Sequence, residues 1–531
     1  MLYLYRPSVY NFMCGILVIF NNVQTASLQP LMRRGPDENG SFKNKDVFMG
    51  HTRLSIVNPE SGPQPIHYRG WVMVVNGELY NARVRPGETD CHMLIKLINK
   101  YGTAALARVD GVFSFVAYHK HTKKVIVARD PIGVMPLYWS NNVISSLLTC
   151  IRTGEARQVP PGHVAEFTLG ETPVFHKWTP DYERAVPTIN PRHALENAVS
   201  KRLMGNVPWG VLLSGGLDST IVAALAVQLA REQRPDYPVV HSFCIGLDGS
   251  PDVVAAERVA KILGTHHTTI KYTVEEGIRA ISEVIRAVET YDVTTVRASV
   301  PMWLLANAIR KRGIKMVLSG EGSDELFAGY LYNLHCPSEK AMEEECKRKL
   351  DQLYAYDCQR ANKSMGDFGI EARVPFLDQV VVDFAMNQLP TVDKLSGTHP
   401  NGPKIEKWWL RDQFKDVVPA FVLERTKAQF SDAVGSSWID SCKSYSAKVI
   451  SDSDFTKAEE LYPYQTPDTK EAYLYRRIFT KHFANIDQAE RTVLFQSSIA
   501  CSTDVAAKWH ASFQKCLDPS GDAIQKAFDV S

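Results

Sequence analysis

The sequence lacks any marked excess of charge of one sign, since its 531 residues include 60 basic against 58 acidic residues, for a net charge of +2. Blocks of like charge are also missing, apart from the acidic triplet at 343–345. Proteins that bind nucleic acid or anionic membranes normally carry a basic face or basic runs. The charge pattern therefore argues against nucleic acid and against a membrane surface as partners.

Paired cysteine motifs are absent as well. The ten cysteines include no CxxC pair and no spacing typical of a zinc site, and they are scattered along the chain. Such a distribution is typical of free thiols in a reducing compartment. The sequence therefore predicts neither a zinc centre nor a disulfide framework.

Long apolar runs are the third absence. The opening MLYLYRPSVYNF is interrupted by Arg6 and Pro7, and the following CGILVIF is too short for a signal sequence or a membrane span. Internal repeats and low-complexity tracts are also absent. With 45% apolar and 22% charged residues, the chain is predicted to be a cytoplasmic protein with two or three cores.

The sequence divides into two halves near residue 190. Up to about residue 180 it consists of short β-rich runs, such as VFMGHTRLSIV and WVMVVNGELY, separated by Gly, Pro or Asn. This rhythm predicts antiparallel sheets. Beyond VPTINPRHALENAV, strand-like runs (GVLL, VVHSFCIGL, KMVLS) alternate with helical ones (STIVAALAVQLA, PDVVAAERVAKILG), and Thr273 with Glu276 predicts a capping box. Alternating units of this length predict a parallel sheet with helices on both faces.

The stretch GVLLSGGLDS, residues 210–219, ends a predicted strand in a glycine turn. In a parallel sheet, ligands bind beyond the carboxyl ends of the strands, where helix N-termini present free amides. Ser214, Gly215, Gly216 and Ser219 suit an anion, and Asp218 suits a magnesium ion. The segment lacks the Gly-Lys-Ser/Thr of the kinase-type phosphate loop, which excludes that class. Taken alone, a Gly-Gly turn is equally compatible with a purely structural role.

A second loop, Gly320-Glu321-Gly322-Ser323-Asp324-Glu325, follows the predicted strand KMVLS. Carboxylates at a helix start can be simple caps. One loop shaped for anions and another rich in acids, at the ends of strands in one sheet, are better explained by a magnesium nucleotide held between them.

These segments carry a family resemblance. SGGLDS resembles the loop of the N-type ATP pyrophosphatases, and LSGEGSDELFAGY, ETYDVTTVRAS, GIEARVPFLD and KAQFSDAVG resemble the synthetase domain of glutamine-hydrolysing asparagine synthetases of the bacterial B type. The resemblance implies that ATP, magnesium and aspartate bind in this half and that β-aspartyl-AMP forms there. It assigns ATP binding to Leu213, Ser214, Gly215, Gly216, Asp218, Ser219, Ile245, Ser319 and Gly320.

The same resemblance implies roles for further residues. Asp218 and Asp324 would hold magnesium, and Glu321 would assist the attack of ammonia. Lys427 would stabilise phosphate charge, whereas without the family it would be taken for a surface lysine. Aspartate would be held by Thr294, Thr295 and Arg297, the last offering a planar donor fork to a carboxylate.

In the first half, Cys14 lies at the start of an apolar run and would ordinarily be an inert core residue. If Met13 were removed, its free α-amino group could act as base for its own thiol, as in the N-terminal-nucleophile glutaminases. Around HTRLSIV the sequence resembles the strand whose arginine, here Arg53, grips the glutamine α-carboxylate. Asn76 and Gly77 resemble the oxyanion loop of those enzymes.

The resemblance further implies that Glu78 and Asp90 hold the ammonium group of glutamine. Singly, these charges would be surface residues and Asn-Gly a hairpin turn. The sequence also departs from the family, because twelve residues precede Met13, the segment between Glu78 and Asp90 is short, and VISSLLTC replaces the usual Ala-Ser-Glu segment near the domain junction.

The sequence thus predicts an extension at 1–13, an antiparallel four-layer αββα N-terminal-nucleophile glutaminase domain at 14–190, a doubly wound parallel-sheet ATP pyrophosphatase domain at 191–500 and a tail at 501–531. The expected activity is asparagine synthesis from glutamine, aspartate and ATP, with ammonia passing through an apolar interdomain tunnel. The sequence leaves open whether the protein forms a homodimer. Alternatives are an ammonia-dependent synthetase with a blocked Cys14, a β-lactam synthetase-like enzyme, a tRNA-modifying relative and an inactive regulatory descendant.

Overall fold

The computed structural model describes residues 14–21, 26–35, 37–152, 154–179, 190–233, 239–395, 405–425, 434–435, 437–494 and 503–509. Strands of the first half are β1 (Gly15–Phe20), β2 (Glu38–Lys43), β3 (Val47–Arg53), β4 (Ile66–Tyr68), β5 (Trp71–Leu79), β6 (Gly111–His119), β7 (Lys124–Arg129), β8 (Tyr138–Trp139), β9 (Val143–Ser145), β10 (Arg157–Gln158), β11 (His163–Thr168) and β12 (His176–Lys177). Those of the second half are β13 (Trp209–Leu212), β14 (His241–Gly246), β15 (His266–Lys271), β16 (Met316–Leu318) and β17 (Glu371–Arg373).

The α-helices of the described residues begin with α1 (His92–Tyr101) in the first half. The second half contains α2 (Pro191–Arg202), α3 (Leu217–Gln233), α4 (Pro251–Leu263), α5 (Val274–Val288), α6 (Val293–Arg310), α7 (Ser323–Leu326), α8 (Glu339–Gln352), α9 (Asp357–Gly366), α10 (Gln379–Asn387), α11 (Thr391–Lys394), α12 (Trp408–Gln413), α13 (Ala420–Leu423), α14 (Ser437–Val449), α15 (Asp452–Phe455), α16 (Ala458–Leu461) and α17 (Lys470–His482). None of the described helices combines the length and the apolar character that crossing a membrane requires.

Two antiparallel sheets form the first half, with strand orders β10-β8-β9-β1-β3-β2 and β12-β11-β7-β6-β5-β4. Strand β1 is apolar at every position after Gly15 because both of its faces are buried. Ile16 and Val18 pack into the core between the two sheets, whereas Leu17 and Ile19 belong to a core that extends to helices of the second half. The α1 helix covers the outer face of the other sheet. The antiparallel architecture predicted from the β-rich runs is confirmed.

The second half is built on a parallel sheet in the order β15-β14-β13-β16-β17. One core packs α3 and α4 against one face, and another packs α5, α6 and α9 against the opposite face. The alternating strand and helix pattern and the helices on both faces are therefore confirmed. So is the capping box, in which Thr273 and Glu276 each accept a hydrogen bond from the backbone of the other.

A buried polar cluster joins the two halves. Glu289, at the end of α5, accepts hydrogen bonds from the backbone amides of Leu148 and Thr149, both at 2.9 Å. Lys363 Nζ lies 2.6 Å from Glu289 and 2.6 Å from the Tyr138 hydroxyl. Burial lowers the pKa of Lys363 to about 8, although Glu289 opposes this shift. The unusual segment VISSLLTC thus contacts the second half through two of its backbone amides.

Candidate active sites

The loop from Ser214 to Ser219 connects β13 to the N-terminus of α3, and hydrogen bonds hold its shape. The hydroxyl groups of Ser214 and Ser219 lie 3.0 Å apart, and the amide of Gly216 donates to Ser214 Oγ at 3.3 Å. Gly215 has a φ of +75°, and a Cβ there would lie 2.6 Å from the backbone of Ala255 on α4. The loop can pass α4 in this conformation only because residue 215 has no side chain.

One cavity is lined by predicted site residues that follow three different strands in the sequence. Its lining residues include the following predicted nucleotide, metal and aspartate residues: Leu213, Ser214, Gly216, Asp218, Ser219, Ile245, Thr294, Thr295, Ser319, Gly320, Glu321 and Asp324. The N-terminus of α3 lies at the end of the sheet where this cavity lies, and helix N-termini present backbone amides to anions. An anion-binding loop and a set of carboxylates therefore share one site.

Asp218 and Asp324 converge on a single cation in this cavity. Lys407 Nζ lies 2.5 Å from Asp218 and 2.6 Å from Asp324. Ser323 donates a hydrogen bond of 2.8 Å to the other oxygen of Asp218. Sequence reasoning missed Lys407, because a single lysine in KIEKWW carries no local signal.

Glu321 is paired within the cavity. Arg360 donates to it at 2.8 Å and also contacts Asp357 at 2.5 Å. Glu325, next to this group, is buried, and burial together with the nearby Asp357 and Asp324 raises its pKa above the usual range. The cavity thus contains a cluster of acids that is partly neutralised by Arg360 and Lys407.

The residues predicted to bind aspartate lie in two different places. Thr294 and Thr295 line the cavity, and both hydroxyls donate to Asp292, the N-cap of α6. Arg297 is not among the lining residues of the cavity. Its guanidinium is buried and forms hydrogen bonds of 2.9 Å and 2.6 Å with the two oxygens of Glu471. The expected donor fork is therefore occupied by a protein carboxylate, and Lys427 lies outside the described residues.

In the first half, Cys14 lies just before β1 and beside the end of β3. The Leu54 amide points at its sulfur at 3.3 Å, and Arg34 Nε donates to its carbonyl at 3.1 Å. Burial raises the pKa of the thiol to about 12, and the charges of Glu371 and Glu78 add to this effect. A thiol of that pKa is essentially un-ionised at neutral pH, so it needs a base to become a nucleophile.

Asn76, Gly77 and Glu78 were expected in a loop, but they lie within β5 and pair with β6. The loop assignment is wrong, because nine residues pair continuously along this strand, and the same pairing excludes the alternative of a hairpin turn at Asn-Gly. Asn76 is buried, and its side-chain Nδ2 has no acceptor among the described residues. A buried amide donor without an acceptor is costly and suits a site that receives an oxygen atom from a ligand.

The charged residues predicted to bind glutamine are buried and paired. Arg53 contacts Glu38 at 2.6 Å and the Ser61 hydroxyl at 2.9 Å. Asp90 accepts a hydrogen bond of 2.8 Å from the Leu79 amide, and burial raises its pKa to about 6. None of these residues is an exposed surface charge.

Glu78 connects the glutamine-binding group to the second half. It lies 3.3 Å from Arg373 on β17, which also contacts Glu371 at 2.6 Å. Burial and the neighbouring Glu371 raise the pKa of Glu78 well above its usual range, against the opposing effect of Arg373. Sequence reasoning quoted the segment GIEARVPFLD but did not assign Arg373 or Glu371 a place at this interface.

Two halves with these sites define a class: a nucleotide-dependent synthetase joined to an amidotransferase domain. Family comparison agrees, since residues 13–156 match the glutamine amidotransferase domain, and residues 190–338 and 333–510 match asparagine synthase. The chain is 42% identical to the glutamine-hydrolyzing asparagine synthetase 1 of Arabidopsis thaliana, over 96% of this chain and 93% of that protein. It is 41% identical to asparagine synthetase B of Escherichia coli (strain K12), over 96% and 99%.

The chain therefore belongs to the glutamine-hydrolysing asparagine synthetases, carbon–nitrogen ligases that take the amide nitrogen from glutamine. The resemblance stated from SGGLDS, GEGSDE and the Cys14 segment is confirmed. The plant and bacterial relatives are about equally similar to the chain, so the identities alone do not favour the bacterial group.

Proposed function

We propose that this synthetase runs two reactions in series on one chain, with glutamine hydrolysis at Cys14 and ATP-dependent amide formation in the cavity at the ends of β13 and β16. The observation that carries the proposal is the convergence of the Ser214–Ser219 loop with Asp218, Glu321 and Asp324 in that one cavity. An anion-binding loop beside carboxylates suits a nucleoside triphosphate.

In the second half, the ATP phosphates bind at Ser214, Gly215, Gly216 and Ser219, with the adenine beside Ile245. The β-carboxylate of aspartate attacks the α-phosphorus, so β-aspartyl-AMP forms and pyrophosphate leaves. Ammonia then attacks the acyl carbon, loses a proton and displaces AMP. Leu213, Ser319 and Gly320 complete the wall around the nucleotide.

Asp218 and Asp324 are the residues that would hold magnesium. Two carboxylates that converge on one cation offer the oxygen ligands that this metal prefers, and Lys407 is the cation that lies between them in this structure. When bound, the metal would neutralise charge on the pyrophosphate leaving group. Lys427 would add positive charge at the phosphates, and Glu321 would accept a proton from the attacking ammonia.

Aspartate recognition falls to Thr294 and Thr295 in this proposal. Both hydroxyls lie on the cavity wall and are oriented by Asp292. Arg297 then acts through Glu471 as part of the support for α6 rather than as a contact to the substrate.

In the first half, the Cys14 sulfur attacks the side-chain amide carbon of glutamine. The tetrahedral oxyanion accepts hydrogen bonds from Asn76 Nδ2 and the Gly77 amide. Ammonia leaves, and water hydrolyses the thioester to glutamate. Arg53 pairs with the α-carboxylate of glutamine, and Glu78 with Asp90 holds its ammonium group.

This chemistry requires a base at Cys14, since burial raises the thiol pKa to about 12. A free α-amino group on Cys14 would supply one, which requires either initiation at Met13 with methionine removal or cleavage before Cys14. A second candidate function follows from the same thiol. If Cys14 stays in a peptide bond, the protein is an ammonia-dependent asparagine synthetase.

The test is N-terminal sequencing and intact mass of the protein from its native source, followed by a glutaminase assay on the same sample. Cys14→Ala is the variant, and Cys336→Ala is the matched control, because Cys336 lies in the second half outside both sites. A chain that begins at Cys14, releases glutamate and loses this activity only in Cys14→Ala supports the proposal. A chain that retains residue 13 and releases no glutamate supports the ammonia-dependent alternative.

The proposed partners are small molecules: glutamine, aspartate and ATP. The eight cysteines of the described ranges are free thiols, which supports a reducing compartment such as the cytoplasm. A homodimer is the proposed assembly, and light scattering on the purified protein measures its mass directly.

A further inference from the structure

Lys407 forms an ion bridge that nothing in the two proposed reactions uses. Its ammonium lies 2.5 Å from Asp218 and 2.6 Å from Asp324, and its side chain is 1% exposed. The two carboxylates come from different elements, Asp218 from α3 and Asp324 from α7. A single lysine therefore connects the phosphate loop to the acidic loop at the bottom of the synthetase cavity.

The surrounding chain is built to place this ammonium. Lys407 has a φ of +55°, a left-handed conformation that is uncommon for a residue with a side chain. A Cβ on Gly329 would lie 2.0 Å from Lys407 Cε and 2.1 Å from Asp324 Oδ1, so a side chain at 329 would displace the bridge. The left-handed backbone at 407 and the glycine at 329 both accommodate the bridge in its observed position.

The bridge and a divalent cation compete for the same oxygen atoms. A buried lysine between two carboxylates neutralises much of their charge, and removing it would leave two acids facing each other in a poorly solvated place. While the bridge is intact, a free metal ion has to displace Lys407 before it can bind the two carboxylates. ATP offers the ammonium an alternative, because its phosphates are anions that arrive in the same cavity.

We infer that Lys407 keeps the Asp218–Asp324 pair closed to free divalent metal until a nucleotide arrives and attracts the lysine to its phosphates. Metal then enters together with ATP rather than before it. Lys407 is in this role a positioning residue that sets the order of binding. The inference rests on the proposed function in one respect, namely that Asp218 and Asp324 are the metal ligands.

The experiment measures binding of Mn²⁺ alone, by the loss of its free electron paramagnetic resonance signal, to wild-type protein, Lys407→Met and Lys415→Met. Lys415 is the matched control, because it is an exposed lysine paired with Asp412 at 2.9 Å. We expect Lys407→Met to bind Mn²⁺ without nucleotide at least about tenfold more tightly than wild type. Mn²⁺ alone should also raise the melting temperature of Lys407→Met but not that of wild type or Lys415→Met.

A double variant, Lys407→Met with Asp324→Asn, should lose the nucleotide-independent binding. The inference is overturned if wild type binds Mn²⁺ alone as tightly as Lys407→Met does. If Lys407→Met does not fold, Lys407→Arg, which keeps the positive charge, is compared with wild type instead. The inference then requires that wild type binds Mn²⁺ only when a non-hydrolysable ATP analogue is present. Failure of the proposed function gives a different result: Asp218→Asn and Asp324→Asn would leave Mn²⁺ binding in the presence of the analogue unchanged.

Discussion

The two halves of the molecule place their reactive groups in opposite ways. In the first half, Asn76, Gly77 and Glu78 lie within the paired strand β5, and the charges around Cys14 are buried and paired with protein groups. In the second half, the reactive groups lie beyond the strand ends, around an open cavity. Buried groups fixed on a paired strand suit a reaction on one small amino acid, whereas strand ends and helix N-termini suit a large anion.

The comparison also shows where the halves are connected. Glu78 pairs with Arg373 on β17, and Glu289 binds the amides of Leu148 and Thr149. Both links are buried and join one half to the other. The proposed glutamine-binding residue Glu78 is therefore held in part by the synthetase half.

The strongest effects should distinguish the two halves by the nitrogen source that a variant can still use for asparagine formation. Cys14→Ala should lower glutamine-dependent asparagine formation by about 10³-fold or more, because the Cys14 sulfur forms the thioester in the proposed reaction. Ammonia-dependent formation should persist. Asp218→Asn should lower synthesis by about 100-fold or more with either nitrogen source. Asparagine and glutamate release, measured for both variants, check this, and equal losses of both nitrogen sources in Cys14→Ala would contradict it.

A glycine pair tests the geometry of the synthetase half. Gly215→Ala should lower the free energy of unfolding by about 2–4 kcal/mol, because its Cβ would meet the backbone of Ala255 and its φ is positive. Gly216→Ala is the control, since its Cβ would meet only the Ser214 hydroxyl at 3.4 Å, and it should cost less than about 1 kcal/mol. Urea unfolding measures both, and equal costs would exclude the close approach to α4.

The pH dependence tests the buried pocket of the first half. Burial raises the pKa of Asp90 from 3.8 to about 6, so the folded chain holds this proton more tightly than the unfolded chain does. Asp90 by itself therefore makes the fold less stable as the pH rises from about 4 to 6. In the proposed site, glutamine binding needs the ionised form of Asp90, so kcat/KM for glutamine should fall about fivefold between pH 6 and pH 5.

Ammonia-dependent synthesis should lack this contribution from Asp90. Asp90→Asn should remove the fall in kcat/KM at acidic pH and should lower kcat/KM at neutral pH. The same fall in kcat/KM in Asp90→Asn would show that another group produces it.

The smallest expected effect concerns a feature that serves the fold alone. Thr273→Ala removes the N-cap of α5, where the Thr273 hydroxyl accepts from the Glu276 amide at 3.2 Å. The free energy of unfolding should fall by about 1 kcal/mol. Both activities should stay at wild-type level. A selective loss of glutamine-dependent synthesis would instead connect α5, which ends just before Glu289, to coupling between the halves.

Local patterns in the sequence predicted much of this structure. The helical run PDVVAAERVAKILG and the Thr273–Glu276 box describe α4 and α5 because helix starts and stops depend on neighbouring residues. Asn76 and Gly77 lie in a strand rather than in the expected loop because pairing along β5 and β6 outweighs the local preference of Asn-Gly for a turn. Lys407, Arg373 and the Arg297–Glu471 pair could not be found, since each depends on residues that the fold brings together from distant positions.

In the proposed mechanism, nitrogen passes from the Cys14 site to the acyl-adenylate within one chain. Supplying glutamine labelled with ¹⁵N in its amide, together with excess unlabelled ammonium, and measuring the label in asparagine by mass spectrometry tests this transfer. Asparagine formed under glutamine-saturating conditions should carry the label well above the solution ratio. Label at the ratio set by the bulk ammonium would show instead that ammonia leaves the protein between the two reactions.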